Sequence, residues 1–176
     1  MGVDREKLRW ASFDAGFGWQ AAVGSDRGLR YLTLPKGSRQ EAIDEARRAY
    51  PDAVEDPGAF ASLEDDLRRY FAGERVDLAG HATDIRLTDF QRRVHEACAA
   101  IPYGSTMTYG ELAAKVGHPG AARAVGQVMA TNPVPLVHPC HRVLASGGGL
   151  GGFGGGLPMK RRLLELEGIR PRGNRG

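Results

Sequence analysis

Chain breakers, more than composition, bound what the second half of this sequence can become. Pro102-Tyr-Gly104, Gly117-His-Pro-Gly120 and Asn132-Pro-Val-Pro135 follow one another at short intervals after residue 88. Proline lacks the amide donor that a helix interior needs, and glycine loses the most backbone entropy there. The segments between these breakers can therefore be only short helices. Thr88 or Asp89 caps the first, whose apolar positions include Phe90, Val94, Ala97, Cys98 and Ile101. Thr108-Tyr-Gly-Glu111 has the capping-box pattern and leads into Leu112, Ala113 and Val116. Ala121 to Thr131 makes a third helix. Helix, helix, tight turn and helix match a helix-turn-helix, with the third element in the recognition position. Its face carries Ala121, Ala122, Ala124 and Gly126, with Arg123 the one long basic side chain. Small residues permit close backbone approach, to DNA or to the rest of the domain.

After the third helix, Ser146 to Gly156 holds eight glycines in eleven residues. It lacks the GxxxxGK[ST] ending, so a phosphate-cradling loop is not supported. Such a stretch either folds its backbone over a planar ligand or is simply flexible. A last helix from Pro158 to Glu167 has Met159, Leu163, Leu164 and Leu166 for packing, and residues 169–176 read as a basic, disordered tail.

The first half has another rhythm. Leu8–Phe13, Trp19–Val23 and Leu29–Leu34 are strand-like segments joined by Asp14-Ala-Gly16 and Ser25-Asp-Arg-Gly28 turns, a small antiparallel meander. Helical patterns follow at 38–50 and 59–72, the second with Phe60, Leu63, Leu67, Tyr70 and Phe71 at helical spacing. The expectation is an α+β chain. Residues 1–87 form an N-terminal sheet-and-helix domain ending in a linker over 73–87, and residues 88–168 form a winged helix-turn-helix-like domain.

Charge separates the halves further. Residues 1–87 carry 13 basic and 16 acidic side chains, net −3, and residues 88–176 carry 11 and 5, net +6. A basic second half suits a polyanion such as nucleic acid, or is merely a basic surface. No apolar run approaches membrane-spanning length, and MGVDREKLRW lacks the apolar core of a secretory signal. The chain reads as cytoplasmic, where a Cys98–Cys140 disulfide is not expected.

Chemistry concentrates in Pro135-Leu-Val-His-Pro-Cys-His-Arg-Val143. Cys98 sits on an apolar helical stripe and reads as core. Cys140 lies between a proline and two groups able to hold or move protons. It can be packing, a metal ligand, or a nucleophile activated by a neighbouring base. His138, Cys140, His141 and Cys98 together lack any recognised zinc spacing. A papain-like arrangement needs a histidine far downstream, and none follows His141.

The segment from Asn132 to Val143 resembles the active-site signature of the O6-alkylguanine-DNA alkyltransferases, or methylated-DNA–protein-cysteine methyltransferases. The resemblance spans residues 88–168. It includes Phe90-Gln91, Ile101-Pro-Tyr-Gly104, Thr108-Tyr109, Ala121-Ala-Arg-Ala-Val-Gly126 and Leu164-Glu-Leu-Glu-Gly168. Residues 1–87 are similar to the family only in plan. What the resemblance implies is a single-use repair protein, monomeric and without cofactor or metal. It would flip an alkylated guanine out of duplex DNA and take the O6 alkyl group onto a cysteine, with O4-alkylthymine as a second substrate.

By motif position Cys140 is then the acceptor, His141 its water-mediated base, Glu167 the supporting carboxylate and Asn132 the brace of the turn. Arg123 would enter the stack, with Ala122, Ala124 and Met129 also on the DNA side. Tyr109 would hydrogen-bond or protonate the guanine, and the carbonyls of Cys140 and Val143 would accept from its amine. Phe153, Gly154 and Gly155 would line the base pocket, Gly154 offering a backbone N–H where the family often has serine. Phe153 replaces a common tyrosine, His138 a usual apolar residue and His95 a common tryptophan, the last read as a packing change. Two other readings compete: a lesion binder lacking transfer, which would lack the cysteine, and a winged-helix regulator with a structural cysteine.

Overall fold

The structure is a computed structural model and describes residues 6–172. The chain divides into two compact units, Met1–Ile85 and Arg86–Gly176. In the first, β1 (Arg9–Asp14), β2 (Trp19–Ser25) and β3 (Gly28–Leu32) form an antiparallel meander. α1 (Arg39–Ala49) starts at Ser38, whose hydroxyl accepts the Glu41 amide, and buries Ala42, Ile43 and Ala46. Those residues meet Trp10, Ala21 and Val23 of the sheet. α2 (Ala61–Phe71) buries Leu63, Leu67, Tyr70 and Phe71.

Two expectations for this unit are corrected. The sheet is not wholly antiparallel: β4 (Val54–Glu55) adds a fourth strand parallel to β1, in the order β3-β2-β1-β4. Both its residues are exposed, so no apolar pattern announced it. Residues 73–87 are not a bare linker either. Val76 and Leu78 are buried, and Leu29 exchanges backbone bonds of 2.9 Å with Ala82 and Asp84. Asp84 also receives Ser25 Oγ at 2.6 Å and Arg30 Nη2 at 3.0 Å.

In the second unit two helices begin where a side chain satisfies their first amides. Thr88 and Gln91 form a reciprocal capping box at α3 (Asp89–Ala99), and Thr108 and Glu111 form another at α4 (Tyr109–Lys115). α5 (Ala122–Ala130) buries Val125, Val128 and Met129, each worth roughly 1.5–3 kcal/mol of burial. They close a core with Val94, Cys98, Ile101, Leu112 and Val143.

β5 (Met107–Thr108) pairs in parallel with β6 (Val143–Leu144), Met107 opposite Val143. That short ladder fixes Tyr109, at the start of α4, beside the segment that follows Cys140. α6 (Leu157–Leu166) packs Leu163 and Leu164 inward. The tail expected to be disordered from residue 169 is held at its start: Ile169 packs with Leu144, Leu150 and Leu164, and the Arg172 amide bonds Gly148 O at 3.2 Å. Residues 173–176 lie outside the described residues.

Candidate active site

The loop between α5 and Cys140 is built around Asn132. Its Oδ1 accepts the Val134 amide at 3.0 Å, and its Nδ2 donates to His138 O at 2.8 Å. The same side chain favours the thiolate of Cys140, opposing the rise in its pKa. One short amide thus holds both ends of the turn, accepting at one and donating at the other. Inside the turn Leu136 has φ 74, a left-handed conformation that costs a branched residue on the order of 1–3 kcal/mol. The residue is buried, and the bonds around Asn132 hold it there.

Cys140 opens a short 3-10 turn, Cys140–Arg142, and is only 6% exposed. Burial raises its thiol pKa; the Asn132 hydrogen bond, the Lys160 charge and backbone amides oppose that. Behind it, the His141 Nε2–H donates to Glu167 Oε2. Glu167 Oε1 accepts Arg142 Nε at 2.8 Å and the Gly104 amide at 3.0 Å. Arg142 Nη1 continues to Ile101 O at 2.7 Å.

Burial by itself would raise the Glu167 pKa, but hydrogen bonds and charge from His141 and Arg142 reverse this and bring it to about 2. Burial lowers the His141 pKa against the pull of Glu167, with Arg142 and Lys160 adding to the lowering. Arg142 already neutralises Glu167, so His141 is held as a neutral imidazole in the state that accepts a proton.

Lys160 is the residue that sequence reading missed. A lysine on a helix is ordinarily solvated, yet this one is 0% exposed. Its Nζ donates to Val143 O at 2.7 Å and lies 3.4 Å from Gly152 O. It also stands 5.7 Å over the Tyr109 ring and 5.9 Å over Phe153. Burial lowers its pKa to about 8, while the two cysteines pull the other way. Its position four residues into the final helix, amid apolar Met159, Leu163 and Leu164, was the available signal.

A cavity of about 820 Å³ is walled by Tyr109, Ala122, Arg123, Gly126, Gln127, Phe153 and Gly154, among others; Cys140 is not part of its lining. Tyr109 and Phe153 also pack against the cluster that contains Cys140. Tyr109 donates to Gly152 O at 3.3 Å, and burial raises its pKa. Its ring approaches the glycine loop so closely that a Cβ at Gly151 would come within 3.0 Å of it. That contact, together with φ +66, restricts the position to glycine.

The expected site residues do not all converge. Tyr109, Ala122, Arg123, Phe153 and Gly154 share the cavity, with Arg123 exposed on its rim. Ala124 faces a separate groove beside Phe90 and Gln91. Met129, expected on the DNA side, is instead buried in the core with Val94 and Cys98, because its position falls on the inner stripe of α5. Gly155 lies in a tight turn closed by the Gly156 amide on Phe153 O at 3.0 Å. The Val143 carbonyl, expected to meet the base, already accepts Lys160. A second lone pair leaves it able to accept again.

Both cysteines are unpaired thiols. Of the residues weighed as zinc ligands, His138 pairs with His95 and His141 with Glu167. Among the described residues no group of three or more His, Cys, Asp or Glu side chains is gathered as a metal requires.

Residues 89–169 match the model of the 6-O-methylguanine DNA methyltransferase DNA-binding domain. A methylated-DNA–protein-cysteine methyltransferase of Mycolicibacterium paratuberculosis is 50% identical over 160 residues, 91% of this chain and 92% of the relative. The chain belongs to the methylated-DNA–protein-cysteine methyltransferase family. A Methanosarcina acetivorans member is 38% identical across 92% of this chain and 99% of its own length. The fold agrees: the crystal structure of Mycobacterium tuberculosis OGT in complex with DNA superposes with a TM-score of 0.75. It is 40% identical and covers 91% of this chain and 93% of that one. The methyltransferase resemblance first carried by the second half thus extends through the first unit as well. No helix among the described residues is long and apolar enough to cross a membrane.

Proposed function

We propose that this protein repairs alkylated duplex DNA directly, moving the alkyl group from O6 of guanine to Cys140 in a single, irreversible event. The observation that carries this reading is the arrangement around Cys140. A lone thiol is backed by a neutral His141 on an ionised Glu167, with Asn132 bracing its turn and the Lys160 charge near it, and it shares a packed cluster with Tyr109 and Phe153, which wall the cavity rimmed by Arg123.

The cysteine proton passes through a water to His141, and the thiolate sulfur attacks the alkyl carbon. The carbon–O6 bond breaks, and its electron pair leaves with the guanine, which takes up the proton. The products are S-alkylcysteine and unmodified guanine, so the protein is consumed. No oxidant, reductant or cofactor enters the balance.

An atom inside a base stack is out of reach of a buried thiol, so the nucleotide must swing out. α4 and α5 serve as the helix-turn-helix, with α5 against the duplex, its small residues allowing close approach and Arg123 filling the vacated stack. Tyr109 and the Gly154 amide face the base, and the Val143 and Cys140 carbonyls receive its exocyclic amine. Tyr109 exchanges its bond to Gly152 for one to the guanine, which requires the glycine loop to shift. O4-alkylthymine presents the same kind of alkyl–oxygen bond and is a second substrate. The protein acts as a monomer in the cytoplasm.

The test is stoichiometry. With excess duplex carrying O6-methylguanine, lesion loss should stop at one per protein molecule. Continued turnover, or lesion binding with no loss, would overturn the proposal.

A further inference from the structure

Two histidines that stand apart from the reacting groups meet behind the cysteine turn. His95, on α3, is 3% exposed, and its Nδ1 lies 2.8 Å from Nδ1 of half-buried His138. The ring centroids are 4.9 Å apart and the planes are inclined by 56°. A contact this short between two ring nitrogens needs one hydrogen, so the rings must hold opposite tautomers, one protonated on Nδ1 and the other on Nε2. Burial brings both pKa values to about 4, so both rings are neutral near pH 7, as a single N–H···N bond requires.

His138 is also where the cysteine turn is anchored. Its carbonyl accepts the Asn132 side chain at 2.8 Å and the Cys140 amide at 2.8 Å. The second bond spans Pro139, whose φ −79 and ψ 67 are those of an inverse γ-turn. Its own amide donates to Val134 O at 2.9 Å. The backbone of His138 therefore sets where Cys140 begins, and its side chain ties that backbone to α3, whose Val94 and Cys98 lie in the core.

We infer that His95 is a positioning residue for alkyl transfer, acting through His138 to hold the turn that aims the Cys140 sulfur. Neither imidazole touches the substrate. Displacement at carbon demands an in-line sulfur, and a misplacement of about 1 Å can cost a hundredfold in rate.

This inference rests on Cys140 being the acceptor, and the experiment separates the two. His95→Asn and His95→Leu are close in size, but only asparagine can offer a polar atom near the place of Nδ1. Single-turnover methyl transfer from an O6-methylguanine duplex should slow about tenfold in the leucine variant and stay within about threefold in the asparagine variant. Duplex affinity should be unaltered in both. A purely structural role would favour leucine in this buried place, or treat the two alike, and equal rates overturn the inference.

If His95→Leu does not fold, nitrogen-15 NMR of the unsubstituted protein decides. Opposite tautomers with a coupling across the two Nδ1 atoms support the link, and two Nε2–H tautomers overturn it. Opposite tautomers in a protein that takes up no methyl group would instead defeat the acceptor reading and the positioning role that rests on it, leaving the pairing intact.

Discussion

Replacing Glu167 with glutamine exchanges one carboxylate oxygen for an NH2 where three donors converge. Oε2 accepts from His141, and Oε1 accepts from Arg142 at 2.8 Å and from the Gly104 amide at 3.0 Å. If the new NH2 faces His141, two donors meet and the imidazole must move its proton from Nε2 to Nδ1, which removes the acceptor needed on the other side of the ring. If it faces Arg142 and Gly104, the buried guanidinium loses its counter-charge. The first orientation loses the correctly oriented base; the second keeps the tautomer but removes the negative charge that stabilises the imidazolium formed when His141 takes the proton. General-base assistance is worth typically 10²–10⁴-fold, so methyl transfer should slow by at least about a hundredfold. Removing one partner of a buried ion pair costs about 3–5 kcal/mol, because the other charge stays behind unpaired. Urea unfolding should show a loss of that order at neutral pH. Rapid-quench transfer assays with intact-mass detection give the rate, and fluorescence anisotropy with the same duplex checks binding. A variant that transfers at the unsubstituted rate with unchanged stability would refute both the base assignment and the carboxylate's role.

Three further outcomes follow from the same geometry. The Glu167 carboxyl has a folded pKa of about 2, below the ordinary value of about 4.3, so its charge stabilises the fold above pH 4 and that contribution fades as pH falls toward 2. The urea-measured stability gap between the unsubstituted protein and Glu167→Gln should therefore close over that range, and a constant gap would contradict the ion-pair reading. Lys160→Met removes the positive charge that opposes the buried thiol's high pKa, so iodoacetamide reactivity at Cys140 should titrate at higher pH and transfer should slow by about tenfold. An unmoved titration would place the lysine in a packing role. Arg123→Ala should keep most duplex affinity, since one lost cation is a small part of a phosphate interface, while transfer slows sharply. Equal transfer rates would rule out insertion into the stack.

What could be read from the sequence depended on how local the physics is. The capping boxes at Thr88 and Thr108 were visible because donor and acceptor lie three residues apart. The breakers at Pro102, Gly117 and Asn132 bounded the helices for the same reason. The meander's three strands were legible from alternation, whereas β4 contains only two exposed residues and pairs with β1 from forty-five positions away.

At the site, Cys140, His141, Glu167 and Asn132 came from motif order, and with them the pairing of Glu167 with His141 and the bracing of the turn by Asn132. That Arg142 and the Gly104 amide share Glu167 with His141 is a fact of tertiary placement. Met129 was misplaced because α5 turns it inward, a rotation the small residues around it leave ambiguous. Lys160 was passed over because an isolated lysine on a helix is usually solvated, and only the fold supplies the Val143 carbonyl that holds it inside. His95 and His138 could each be noticed as unusual, but 43 residues separate them and nothing local joins them.

The most direct test of the acceptor assignment uses the two cysteines as each other's control. Both are buried thiols, one in the core of α3 and one on the cysteine turn. After incubation with duplex DNA containing O6-methylguanine, peptide mapping by tandem mass spectrometry should find a single added methyl on Cys140 and none on Cys98, and Cys140→Ser should take up none. A methyl on Cys98, or uptake that persists in Cys140→Ser, would contradict the assignment of Cys140 as the acceptor.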